Sequence, residues 1–394
     1  VTDRFLFNSG MTTAITNTLD EIGVDYQIFF DVKPDPTLST INDAMMMVKA
    51  YEPDVFIALG GGSSMDAAKI LWLMYEQPDT VFEDIAMRFM DIRKRICMIP
   101  ELGKKAEMVC VPTTSGTGSE VTPFAIITDD ETGVKYAIAD YALTPNVAII
   151  DPNLVDSMPK GLTAVSGYDA ITHAIEAYVS VMATNFTNSN SLEALKLLFR
   201  YLKRSYDSGK NDPIAREKVH YASTIAGMAF ANAFLGICHS MAHKLGAMFH
   251  VPHGMANALL INQVIKFNAT DKPTKQTAFP QYKFPCAKAK YGQIADELGL
   301  GGKNDDEKVE LLQQALVQMK KCLSKNSVSK NLNSLLNLMS LLNLHSTTNV
   351  QVQTRDIHCL KKSNKCTSMH TTEEYNSYCE IRSSKKNPLM KVSG

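Results

Sequence analysis

The chain has 394 residues, of which 45% are hydrophobic and 21% charged, with a formal net charge of -1. That is enough for one large core or two domains, and the balance gives no electrostatic reason to expect nucleic acid or an anionic membrane as partner. No apolar run reaches the roughly 18–20 residues of a membrane span, and the opening "VTDRFLFNSG" lacks the basic start and apolar stretch of a secretory signal, so a soluble, cytoplasmic protein is expected.

In chain order, the first 155 or so residues alternate strand-like runs with helical patterns. "DVFIALGGGSSMDAAKILWLMY" is the clearest unit: an apolar run at 54–59, the glycines Gly60, Gly61 and Gly62, then an amphipathic helix starting near Ser64. "EMVCVPTTSGTGSE" repeats the theme with a strand ending at Val111, and "PNVAIIDPNLV" adds a short apolar strand between Pro145 and Pro152. Alternating β and α segments with glycine-rich turns predict a parallel, doubly wound sheet whose ligands sit beyond the carboxyl ends of the strands. From Pro159 to about residue 320 the strand signal fades, and long segments of 3.6-residue period replace it, among them "AVSGYDAITHAIEAYVSVMA" and "KVHYASTIAGMAFANAFLGICHSMAHKLGAMF". An all-helical domain following an α/β domain leaves a boundary cleft, a common ligand position. From Cys322 onward the composition changes abruptly: no alanine, a single glycine at the last position, and four of the eight cysteines. No CxxC and no repeated cysteine spacing occurs, which fits reduced thiols better than a disulfide framework or a zinc knuckle. The expected division is therefore 1–157 (α/β), 158–321 (helical) and 322–394 (a tail of different composition).

Two loops carry nucleotide chemistry. Missing side chains at Gly60, Gly61 and Gly62 allow close backbone approach to a diphosphate, and the helix N-terminus that follows favours its charge; a bare tight βα turn is the lesser alternative. "TTSGTGSE", residues 113–120, offers the hydroxyls of Thr113, Thr114, Thr117 and Ser119 beside two glycines; the plainer reading is a helix N-cap with Glu120 in the first turn.

Metal chemistry is concentrated further on. Asp169 and His173 are four apart and share a helical face; alone, such a pair reads as a surface contact. The stretch 238–254 holds four of the nine histidines, with His239 and His243 again four apart and Pro252 ending that helical run before His253. Imidazoles from this segment and the carboxylate and imidazole of the earlier helix make a mixed N/O donor set suited to a divalent transition metal. Spacing alone leaves His243 and His250 with equal claims.

Taken together these residues resemble the iron-dependent alcohol dehydrogenase family, and within it the C-terminal half of the bifunctional aldehyde-alcohol dehydrogenases. The likeness runs from Val1 to about residue 317 through "RFMDIRKRI", "TTSGTGSEVTPFA", "DYALTP", "AFANAFLGICHSMAHKLG", "PHGMANALL" and "PTKQTAF". The resemblance implies an α/β dinucleotide-binding domain of non-classical Rossmann-like type followed by an all-α metal domain. It implies reversible NAD-linked interconversion of a short primary alcohol and its aldehyde, with acetaldehyde and ethanol favoured, in fermentative metabolism. It places metal ligands on Asp169, His173, His239 and His253, a candidate proton relay near the substrate on His243, and no family role on His250. Cofactor contacts fall on Gly61, Gly62, Ser63 and Asp66, on Thr113, Thr114 and Thr117, and on Lys135. Asp3 falls on the acidic residue that binds the adenosine ribose, where a carboxylate repels a 2'-phosphate and favours NAD over NADP. Iron(II) is the implied ion, with zinc as a tighter-binding competitor by the Irving-Williams order. Homo-oligomers, extending to helical filaments in the bifunctional relatives, are implied as well.

Two departures from the family stand out. Val1 reads as the interior of a strand, so a fragment of a longer bifunctional chain is expected. The tail reads as frameshifted from near residues 318–322: the family stretch A-F-D-D-Q-C-T-G-A-N-P-R-Y-P-L can be encoded so that the next frame gives His345 to Cys359 of this chain. A stand-alone enzyme acting on a diol or lactaldehyde, and an inactive fragment or assembly subunit, are the competing readings.

Overall fold

In a computed structural model of the chain, the structure describes residues 1–82, 85, 99–133, 135–271 and 286–323. The tail, "RFMDIRKRI" and "PTKQTAF" lie outside these. The α/β part comprises α1 (Arg4–Asn8), α2 (Thr13–Glu21), α3 (Leu38–Tyr51), β1 (Val55–Gly60), α4 (Gly62–Glu76), β2 (Glu107–Pro112), a hairpin of β3 (Phe124–Thr128) and β4 (Lys135–Ala139), and the short β5 (Val147–Ala148). β1, β2 and β5 form a parallel sheet in that order, in register Val55 with Glu107 through Gly60 with Pro112, and Val109 with Val147. Phe56 and Ala58 of β1 and Met108 and Cys110 of β2 alternate onto one face of this sheet and join Ile70, Leu71 and Trp72 of α4 in a single core. Because β1 and β2 are parallel and in register, they end side by side, and the two loops singled out in the sequence leave from the same edge.

The helical part comprises α5 (Lys160–Val179), α6 (Asn185–Ser208), α7 (Pro213–Ala233), α8 (Ile237–Phe249), α9 (His253–Asn268), α10 (Ala287–Glu297) and α11 (Asp305–Leu323). α5 is the central element: every residue from Ser166 to Tyr178 is buried. A helix buried all round is wrapped by its neighbours instead of lying on one face. Its apolar residues Ile171, Ala174, Ile175 and Tyr178 join a core with Leu195 and Leu198 of α6, Val219 and Ala222 of α7 and Leu260 and Val264 of α9. Gly254 fixes the closest approach, because a Cβ there would lie 2.1 Å from the Val165 carbonyl oxygen. No single described helix is long and apolar enough to cross a membrane.

Two expectations need correction. The long periodic segment from Lys218 to Phe249 is two helices, α7 and α8, bent by 106° at Phe234–Gly236. The break lies where Phe234 takes φ 61° and ψ -176°, a backbone region costly for any residue with a Cβ; periodicity persists across it because both helices bury apolar faces. The other concerns "TTSGTGSE", which does not cap an α-helix: Gly118 at φ 63° leads into a single 3-10 turn, Ser119–Val121, with no side-chain cap.

Candidate metal and cofactor site

α5 presents Asp169, His173 and Glu176 at positions i, i+4 and i+7, so all three point the same way. α8 contributes His239 from its first turn, and α9 starts at His253 with Pro252 as its N-cap residue, so the proline sets the entry of this helix. One donor atom from each of Asp169, His173, His239 and His253 lies within 4.8 Å of all the others. Asp169 Oδ1 is 3.6 Å from both His239 Nε2 and His253 Nε2, and Asp169 Oδ2 is 4.0 Å from His173 Nε2.

The Nε2 atoms converge because the opposite ring nitrogens are held elsewhere. His239 Nδ1 is 2.6 Å from Glu176 Oε2, and His173 Nδ1 is 3.2 Å from the Gly116 carbonyl oxygen. Such partners fix both the tautomer and the ring plane of a ligating histidine. Glu176 is in turn fixed by the N-terminus of α8: Cys238 N donates to Oε1 at 2.7 Å and His239 N to Oε2 at 3.3 Å. A side chain at Gly236 would meet Glu176 Oε1 at 2.8 Å, so a glycine is required beside it.

The charges are unusually perturbed. Burial would raise the Asp169 carboxyl, but the His173 and His253 charges and the His239 hydrogen bond together hold it well below the ordinary carboxylate range. Burial pushes His173 down to about 3 and also lowers His253 and His243. In His239 burial is outweighed by hydrogen bonds and charge from Asp169 and Glu176, which raise it to about 9. In the metal-free protein the carboxylate is ionised and His173 and His253 are uncharged, while His239 holds a proton that a cation would displace; three nitrogens with one oxygen fit a borderline divalent cation. The His253 side chain is 40% exposed while the other three are at most 5% exposed, so one side of the cage stays open. Catalytic metal sites keep such an open position.

The other sequence-predicted residues fall as follows. His243 packs edge-on against His253 with ring centroids 4.9 Å apart, which puts it beside the cage and outside the convergent set. His250 is exposed and closes α8 in a left-handed conformation, φ 53°. Gly61 is the N-cap residue of α4 without any side-chain cap, leaving that helix's first amides free for an anion. Thr114 and Thr117 press on this turn: a Cβ on Gly61 would be 3.2 Å from Thr114 Cγ2, and one on Gly62 would be 2.9 Å from Thr117 Cγ2. Thr114 Oγ1 is buried with no hydrogen-bond partner among the described residues, and Thr113 is buried beside it. An orphaned hydroxyl next to uncapped helix amides is what a bound diphosphate would satisfy. Ser63 Oγ accepts from Asp35 N at 3.3 Å, and Lys135 pairs with Asp35 at 2.6 Å. Asp66 points inward, accepting from Ser119 Oγ at 2.7 Å and Ile126 N at 2.9 Å. Asp3 caps α1 through a bond from Leu6 N at 2.9 Å.

The two halves of the site meet in the loop 113–120. Gly116 holds His173, Ser115 Oγ is 3.0 Å from His220 Nδ1, and Glu120 accepts from Thr224 at 2.6 Å. Gly116 and Gly118 are seated against Ser166 of α5 and Gly227 of α7, with Cβ positions 2.6 and 2.7 Å from those residues. Lys69, fully buried, joins the loop to α4, its Nζ lying within 2.6–3.0 Å of Ser119 O, Ser119 Oγ, Thr122 O and Phe124 O, among which its three N–H groups are shared. Sequence reasoning missed Glu176, Asn257 and Lys69, although Glu176 follows His173 by three and Asn257 follows His253 by four, so helical spacing alone points to both.

The profile of the iron-containing alcohol dehydrogenases matches residues 1–152, and that of the Fe-containing alcohol dehydrogenase family, C-terminal, matches residues 163–334. The bifunctional aldehyde-alcohol dehydrogenase AdhE of Escherichia coli K12 is 62% identical over 305 residues, 77% of this chain and 34% of that protein; this chain spans about a third of the length of that relative. The NADPH-dependent butanol dehydrogenase of Clostridium saccharobutylicum is 41% identical over 79% of this chain and 74% of its own. Among solved structures, the sulfoacetaldehyde reductase of Bifidobacterium kashiwanohense in complex with NAD+ superposes with a TM-score of 0.71 at 25% identity, covering 89% of this chain and 86% of that one. The chain belongs to the iron-containing alcohol dehydrogenase family.

Proposed function

We propose that the chain transfers hydride between NAD(H) and a short primary alcohol or aldehyde, with acetaldehyde and ethanol as the favoured pair, at a divalent metal held by Asp169, His173, His239 and His253. The observation that supports this reading is that one loop serves both candidate sites: Gly116 orients His173, while Thr114 and Thr117 abut the uncapped N-terminus of α4. The cation supplies Lewis acidity, worth several kcal/mol of stabilisation for charge developing on the substrate oxygen; iron(II) is the expected ion and zinc a competitor. The protein's part is positional. Glu176 and Gly116 keep the imidazoles aimed inward, and the exposed side of His253 marks where the substrate oxygen enters. The α4 turn and Thr113, Thr114 and Thr117 bind the diphosphate, with Gly61, Gly62 and Ser63 giving it backbone access. Lys135 neutralises charge beside it, Asp66 holds the neighbouring loop, and Asp3 binds the adenosine ribose. His243, beside His253 and kept neutral by burial, is positioned to pass a proton to or from the alcohol oxygen. We further assign residues 1–157 to cofactor binding, 158–321 to the metal domain and homo-oligomerisation to the whole.

The test is anaerobic purification with and without added iron(II), followed by NADH oxidation with acetaldehyde and metal analysis. Metal-dependent turnover is expected. Folded, metal-loaded protein that binds NADH without turnover refutes the assignment.

A further inference from the structure

Asn257 is fully buried on α9, one turn beyond His253, and belongs to none of the roles assigned above. Its Nδ2 lies 2.7 Å from Asp169 Oδ1, 3.0 Å from His239 Nε2 and 3.3 Å from His253 Nε2. Thus one amide nitrogen faces donor atoms from three of the four residues in the cage. Its Oδ1 is buried without a partner among the described residues, so the side chain has given up one hydrogen bond to place its nitrogen there.

An amide nitrogen carries two hydrogens, so it donates to at most two of these three atoms. The acceptors also differ in what they can keep once a cation arrives. A neutral imidazole nitrogen has a single lone pair, which the ion takes. A carboxylate oxygen has two, so Asp169 Oδ1 can face a metal and still accept from Asn257. We propose that Asn257 is a positioning residue for the metal: it donates to Asp169 Oδ1, fixes the rotation of that carboxylate, and so keeps the donor set converged both before and after the cation enters. It does for Asp169 what Glu176 does for His239 and Gly116 does for His173. The inference rests on the metal reading given above, and it adds that Asp169, the one anionic ligand, is oriented from α9.

Donation and simple space-filling predict opposite orders for three substitutions in the full 394-residue chain. Leucine nearly matches the size of asparagine and cannot donate; serine and alanine leave a similar cavity, but only serine keeps a donor. The probes are Zn(II) affinity by competition with a chromophoric chelator, and the visible spectrum of the Co(II)-loaded protein, which reports ligand geometry. Donation predicts that N257L and N257A lose about 10–100-fold in affinity, the range for partners of metal ligands, with an altered Co(II) spectrum, while N257S stays at least several-fold tighter than N257A. Space-filling predicts N257L nearest the parent and N257S equal to N257A. Either of those results overturns the proposal, and if N257L does not fold, the serine-alanine comparison decides alone. A parent protein that takes up neither ion sinks the metal reading and this inference together; a parent that binds metal with variants ordered by size sinks only the inference.

Discussion

Glu176→Gln isolates the hydrogen bond on which His239 depends. The carboxylate now accepts three N–H groups: His239 Nδ1 at 2.6 Å, Cys238 N at 2.7 Å and His239 N at 3.3 Å. A glutamine of the same shape has one accepting and one donating end. If its oxygen stays on Cys238 N, its NH2 faces His239 Nδ1 and drives the ring proton to Nε2, the atom that faces the cage. If the amide turns over, its NH2 opposes the Cys238 N–H. In the first orientation that NH2 also opposes the His239 backbone N–H, as in the second it opposes the Cys238 N–H, in a site with Glu176 only 3% exposed, so the charge-assisted bond, worth about 1.5–3 kcal/mol, is lost. Metal affinity is expected to fall about 10–100-fold, or about 1.4–2.8 kcal/mol. Chelator competition with Zn(II) reads the affinity, and thermal unfolding of the metal-free protein shows whether the fold survives. A variant that folds and binds within twofold of the parent would show that His239 is aligned by packing instead of by Glu176.

Three further outcomes follow from the same geometry. His239 is raised from 6.5 to about 9 in the metal-free protein, so its stabilising contribution is complete below about pH 6.5 and is lost as pH rises through 9. A cation must displace that proton, so metal affinity should climb up to about tenfold per pH unit over the same interval; a flat profile in chelator competition refutes this. Gly254→Ala places a Cβ 2.1 Å from the Val165 carbonyl oxygen and should cost about 3 kcal/mol or more in urea unfolding, whereas Gly161→Ala on α5, with nothing within 4 Å, should be neutral or gain up to about 1 kcal/mol. Lys69→Met removes the cation that donates to the Ser119, Thr122 and Phe124 oxygens and leaves Asp66 without its opposite charge; a loss of about 3–5 kcal/mol is expected, and a midpoint unchanged in urea would show the network to be dispensable.

The positions that could be read in advance are those where covalent spacing does the work. An i, i+4 pair on a helix must share a face, so Asp169 with His173 was visible, and the β1 and β2 loops were visible because apolar runs end at glycines. Choosing His253 over His250 was beyond spacing. It depends on His250 closing α8 in a left-handed turn and His253 opening α9, a difference of backbone conformation that imidazoles do not encode. The bend at Phe234 was hidden for a related reason, since periodicity records burial and both helices bury one face. The loop 113–120 was legible as polar and glycine-rich, but its seat against Ser166 and Gly227 is a contact across 50 or more residues of chain, and only the tertiary fold creates it.

The hydrogen bond between His173 and the Gly116 carbonyl gives the proposed metal and nucleotide sites a shared support. If a cation steadies His173 and through it the backbone beside Thr114 and Thr117, linkage requires that a nucleotide bound there raise the cation's affinity by the same factor. Measuring either affinity in the presence and absence of the other then gives a single coupling constant.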